Sequence, residues 1–233
     1  MCPGPAESSN VSSSTMVGKV QTVTGPVEPD QLGTTIMHEH LFIDLRKFRS
    51  PDENSSATDL ALSMQKLTAE NARLTREYKP ITDNWLLADV DEAIEEANEF
   101  RYAGGGTIVE VTSIGIRRDP VALRRVARAT GLNIVMGAGW YQKKYHPLDM
   151  DQRTVEDLAE EIIRDVTVGV GETGIRSGII GEVGIEGEPL TENEIKSIRA
   201  SARASMATGA AISFHKGGTD RAEKLRVAGI VGE

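Results

Sequence analysis

Residues 104–136, GGGTIVEVTSIGIRRDPVALRRVARATGLNIVM, carry the rhythm that decides the fold. Thr107-Ile108-Val109-Glu110-Val111 is a run of β-formers behind three glycines, and Asn133-Ile134-Val135-Met136 is a second such run. Both read as strands. Between them, Asp119 followed by Pro120 supplies an N-cap and a first helical position, and Gly131 supplies a C-terminal stop. Strand, helix and strand in so short a span predict a right-handed βαβ unit with parallel strands.

The same alternation extends in both directions. Leu87, Val90, Ile94 and Ala97 are spaced by three, four and three, which predicts an amphipathic helix ending at the glycines from Gly104. Further on, Val155, Leu158, Ile162 and Val166 mark a helix, and Gly178 to Val183 a strand. Thr191 with Glu194 forms a capping box before Ile195, Ile198 and Ala202. Ala211 to His215 is a further strand, and Arg221 to Val227 begins another helix. Toward the N-terminus, Thr34-Thr35-Ile36-Met37 is a compact strand that runs into His38-Glu39-His40. Val20 to Thr24 with Gly25-Pro26 suits a short hairpin before it. Residues 44–82, with Pro51 and Pro80, form a polar and partly helical insertion; residues 1–16 are Pro-, Gly- and Ser-rich and read as a disordered tail. The class is α/β with five strand–helix units. An open doubly wound sheet and a (β/α)8 barrel both accommodate that count, so the strand ends have to separate them.

Composition narrows the function. The 233 residues carry a net charge of −9, which argues against a nucleic-acid footprint or a polybasic membrane surface. Cys2 is the single cysteine, so an intrachain disulfide and the cysteine-pair zinc sites are excluded. No apolar run approaches the ~18 residues of a membrane span. The first basic residue is Lys19, and neither a basic n-region nor an apolar h-region precedes it, so no secretory signal is read and a cytoplasmic location is expected.

Three strand ends carry metal-type chemistry. His38 and His40 lie two apart on a strand, so both imidazoles share a face and can converge on one cation, with Glu39 turned the other way. Two surface histidines are the plainer reading. The chain has four histidines in all, so two at this spacing directly after an apolar run favour the metal. Glu182 follows Gly178-Ile179-Ile180-Gly181, where an unpaired carboxylate would be expensive to bury. It reads as a metal ligand or as a strand-end glutamate already in solvent. His215 closes the fifth strand in the same way after Ile212-Ser213-Phe214. Such convergence belongs to the C-terminal face of an α/β barrel. Gly169-Val170-Gly171-Glu172-Thr173-Gly174 matches GxGxxG, but it follows a helix and precedes a strand, so it is read as a loop. His146 falls in the loop after the third strand and is read as a solvated loop histidine at the mouth.

The MHEHLF, GIIGEVG and ISFHKGG segments resemble the phosphotriesterase family of metal-dependent amidohydrolases. GKVQTVTGPVEPDQLG, GGGTIVEVTSIGIRRD and NIVMGAGWY bring the likeness to its phosphotriesterase-related branch, over about residues 17–230. The resemblance implies a (β/α)8 barrel domain over residues 17–233 with about five of eight units present. It implies two divalent cations per subunit in the full-length family, zinc being the expected metal. His38 and His40 match the ligands of the more buried cation. Glu182 stands where many relatives carry a carbamylated lysine bridging both, which makes it the bridging and catalytic candidate. His215 matches the first ligand of the exposed cation.

The implied activity is hydrolysis of small N-acyl amides of the N-acetyltaurine type by a hydroxide activated at the metals. Lactone or phosphotriester hydrolysis is the alternative, and a chain that only binds metal or a partner is the non-enzymatic one. The ligands that the family takes from strands six and eight have no counterpart before Glu233, so a shortened chain is expected. Its strands around Ile36 and Ile212 would then be open edges with apolar inner faces toward water. Homo-oligomerisation or aggregation, with little or no activity, is the corresponding expectation.

Overall fold

The computed structural model describes residues 18–216 and 221–232; the expected tail at 1–16 lies outside the described residues. Strands β1 (Val20–Thr22) and β2 (Gly25–Val27) form an antiparallel hairpin, but its turn is at Val23-Thr24, and Gly25 and Pro26, expected in the turn, lie in β2. Strand β3 (Thr34–Glu39) carries the first histidine to its tip. The insertion holds β4 (Ile43–Asp44) and the short helices α1 (Ala57–Ser63) and α2 (Ala72–Arg76), and β5 (Leu86–Leu87) closes it by pairing antiparallel with β4. Leu87 therefore belongs to a strand and not to the helix predicted from its spacing. Helix α3 (Val90–Tyr102) starts three residues later because the Asp89 side chain accepts from the N–H groups of Asp91 and Glu92.

From there the units alternate as read: β6 (Gly105–Glu110), α4 (Pro120–Thr130), β7 (Asn133–Ala138), α5 (Val155–Thr167), β8 (Ile179–Ile185), α6 (Glu192–Thr208), β9 (Ile212–Lys216) and α7 (Arg221–Val231). Asp119 caps α4 through a 2.9 Å bond from Ala122 N–H, and Gly131 ends it at φ 76°, a left-handed geometry that favours glycine. Thr191 and Glu194 form the capping box of α6. A second box, Thr154 with Asp157, opens α5.

The five long strands form one parallel sheet in the order β3-β6-β7-β8-β9. This curled sheet is an arc of a (β/α)8-type barrel, with β3 and β9 at its edges. Its helix-facing side packs Ile108, Ile134 and Met136 against Leu123 and Val126 of α4, and Ile180 and Val183 against Leu158 and Ile162 of α5. The opposite side departs from expectation. The apolar inner face was expected to meet water, but Val109, Val111, Val135 and Ile179 on it are buried, with Val20 of the hairpin packed on them. Val23 N–H donates to Ile134 O at 2.9 Å, which pins the hairpin to the sheet. Gly178 is required at this contact, because a Cβ there would collide with the backbone oxygen of Gln21. No helix among the described residues is long and apolar enough to cross a membrane.

Candidate metal centre

The four residues singled out from the sequence meet at one end of the sheet. His38 and His40 stand at the tip of β3, with Nε2 atoms 3.1 Å from Glu182 Oε2 and 3.3 Å from Glu182 Oε1 respectively. His215 on β9 approaches the same carboxylate, its Nδ1 2.9 Å from Oε2. The donor atoms of His38, His40 and Glu182 all lie within 4.8 Å of one another. His215 stands outside that three-donor group while sharing a Glu182 oxygen.

Glu182 is not at a strand end. β8 runs on to Ile185, and the Glu182 N–H donates across to Val111 O at 2.7 Å. Its side chain is 1% exposed, whereas that of His38 is 45% exposed. The cluster thus has a buried floor and an open mouth, and the reading of Glu182 as a solvated strand-end residue fails. Burial pushes the Glu182 carboxyl upward, but hydrogen bonds and charge from His215 and His40 outweigh it and hold it at about 2. The same hydrogen bond raises His215 against the opposing effect of its burial. Two imidazoles and a carboxylate around an open position are the donor set of a three-ligand zinc site. The residues fit a divalent cation.

Two neighbours of the cluster escaped the sequence reading. The Tyr141 hydroxyl lies within hydrogen-bond distance of His215 Nε2, at 3.2 Å, and burial raises its pKa. Both nitrogens of His215 therefore have protein partners in this arrangement. Glu110, at the end of β6, is fully buried, and burial raises its carboxyl to about 7. In sequence it stands, like Glu182, after a run of apolar and small residues and before a valine, although Glu110 ends β6 and Glu182 lies within β8. A carboxylate in an apolar strand run is the sequence signal that marks it.

His146 is not the solvated loop residue expected. It is partly buried, and its Nε2 lies 2.9 Å from Tyr141 O, a contact that organises the loop after β7. Residues 169–174 are a loop between α5 and β8, as their order in the sequence implied.

Comparison with known proteins follows the same line. The family model described as the phosphotriesterase family matches residues 18–231. The N-acetyltaurine hydrolase of Dictyostelium discoideum is 39% identical over 220 residues, covering 86% of this chain and 59% of the relative. A resiniferatoxin-binding protein from Rhodobacter sphaeroides superposes with a TM-score of 0.85 at 36% identity, over 92% of this chain and 59% of that one. A mutant phosphotriesterase-like lactonase of Deinococcus radiodurans gives 0.68 at 26% identity, over 91% and 59%. The chain spans less than two thirds of the length of these relatives.

Proposed function

The chain belongs to the phosphotriesterase family, and from that premise we propose that its Glu182 cluster serves a metal-dependent hydrolase of small N-acyl amides of the N-acetyltaurine type. The observation that carries this reading is a buried carboxylate facing three imidazole nitrogens under an open mouth. A buried charge needs compensation, and a cation between these donors would supply it.

His38, His40 and Glu182 would hold the cation; family resemblance adds His215 toward a second one, with Glu182 between them. A divalent cation so held polarises a carbonyl or phosphoryl oxygen and acidifies water. The residues of this chain do the rest. Glu182 brings a permanent negative charge without any lysine modification, and Tyr141 orients His215 beside it. A small water-soluble substrate and a cytoplasmic location accompany this reading, with no nucleic acid or membrane surface as partner.

Amide hydrolysis is put first because the relative named for it is the more similar in sequence. Lactone opening is the second reading, favoured by the superposition on the Deinococcus lactonase. The expectation of an inert chain rests on an uncovered sheet interior, and the hairpin covers part of that surface.

The test loads the 233-residue chain with zinc and offers N-acetyltaurine, a γ-lactone and an aryl phosphotriester. Zinc-dependent release of taurine is the expected result. Turnover of the lactone or phosphotriester alone would shift the substrate class. Zinc binding with no turnover of any of the three would overturn the hydrolase reading and leave a metal-binding chain.

A further inference from the structure

The tip of β3 is held from one side. Among the described residues β3 pairs only with β6, so the placement of its histidines depends on what β6 and the residues after it supply. Val111 N–H donates to Glu39 O at 3.0 Å, and Leu41 N–H donates to Glu110 Oε1 at 3.3 Å. The Thr112 hydroxyl completes the clamp. It lies 2.8 Å from Phe42 O, 2.5 Å from Glu110 Oε1 and 2.9 Å from His40 Nδ1. Thr112 and Glu110 are both fully buried, so these contacts are not shared with bulk water.

The proton count at Thr112 favours one direction for its bond with His40. A hydroxyl has one proton to give and two lone pairs to offer. Phe42 O accepts only, and Glu110 Oε1 sits as an acceptor toward Leu41 N–H, so these two oxygens claim the single Thr112 proton. An unprotonated His40 Nδ1 would be a third acceptor around one hydrogen. A protonated Nδ1 instead donates to Thr112 Oγ1 and leaves the Thr112 proton to Phe42 O and Glu110 Oε1. In the neutral ring this leaves the lone pair on Nε2, the nitrogen 3.3 Å from Glu182 Oε1. A lone pair facing a carboxylate oxygen repels it unless a positive charge lies between the two.

We propose that Thr112, backed by Glu110, is a positioning residue that fixes His40 as the Nδ1–H tautomer and so presents Nε2 to a divalent cation beside Glu182. The proposal rests on the reading of His40 as a cation ligand. It adds to that reading the buried residues that decide which nitrogen binds. Partners of this kind behind a metal-bound histidine are typically worth about 10- to 100-fold in metal affinity.

The test has a spectroscopic arm and a binding arm. Long-range proton–nitrogen NMR of the metal-free, nitrogen-15-labelled chain is expected to show His40 protonated at Nδ1. Zinc affinity, read by competition with a chelating dye, is expected to fall about 10- to 100-fold in Thr112→Val. Thr112→Ser, which keeps the hydroxyl, is expected to stay within about threefold of the unaltered chain. A neutral His40 ring protonated at Nε2 alone, with Nδ1 bare, overturns the proposal. So does a folded Thr112→Val chain that binds zinc at unchanged affinity. Should Thr112→Val not fold, the tautomer of the unaltered chain and the affinity of the serine variant decide. Failure of the unaltered chain to bind zinc at all would instead overturn the metal reading beneath it.

Discussion

Replacing Glu182 by glutamine is expected to weaken zinc binding by about 100-fold or more. Four-ligand structural zinc sites hold the ion with roughly 10–16 kcal/mol, so one ligand is worth about 3 kcal/mol, or two orders of magnitude in affinity. Glutamine keeps the shape of the side chain but removes the charge, and its amide nitrogen cannot act as an anionic ligand. The loss should be larger than for either histidine, because Glu182 is the shared partner of His38, His40 and His215. Chelator competition on a chain shown to be folded by circular dichroism measures it. An affinity within a few-fold of the unaltered chain would remove Glu182 from the metal site.

Glu194→Ala is expected to destabilise the fold by about 3 kcal/mol, on the basis of the stranded donors it leaves. The Glu194 side chain accepts from the N–H groups of Glu186, Gly187 and Thr191 at 2.6, 2.9 and 2.8 Å, and from the Thr191 hydroxyl at 2.8 Å. It therefore does two things at once. It completes the capping box of α6 and ties down the loop that leaves β8 just after the site. Burial raises its carboxyl, but the hydrogen bonds from those backbone N–H groups outweigh this and hold it below its ordinary 4.5. A depressed carboxyl stabilises the fold above its unfolded pKa and loses that contribution as pH falls through the folded value. The alanine variant should therefore show its deficit in full at neutral pH and a shallower decline in stability below about pH 4.5. Urea unfolding at several pH values reads both. An unchanged midpoint at neutral pH would show the loop to be held by other contacts.

The elements most legible in the sequence were those whose signals are local. Asp119-Pro120 and Gly131 bound α4 within a dozen residues of each other, and Thr191 opens α6 by a box with Glu194, three residues on. The parallel sheet followed from the repeated alternation, and the histidine pair at the tip of β3 followed from a spacing of two. Signals that depend on distant partners were lost. One local signal is also less legible, because Thr154 and Asp157 cap α5 with an aspartate where the usual box has glutamate. Leu87 kept helical spacing with Val90 but pairs with Ile43, whose position in the sheet no local window reveals. The cover of Val109, Val111, Val135 and Ile179 comes from Val20, a residue far away in sequence. Thr112 shows nothing in the sequence beyond a threonine after a strand. Its meaning appears only when His40, Phe42 and Glu110 are placed around it.

X-ray absorption at the zinc edge, on the chain carrying one equivalent of the metal, tests the central claim most directly. The account predicts one tightly held ion per chain, since His38, His40 and Glu182 form one three-donor group and His215 shares Glu182 with it. Its spectrum should show only nitrogen and oxygen neighbours at about 2.0–2.2 Å, with the outer-shell scattering of two imidazoles. A sulfur neighbour from Cys2, or an oxygen-only shell without imidazole scattering, would contradict it.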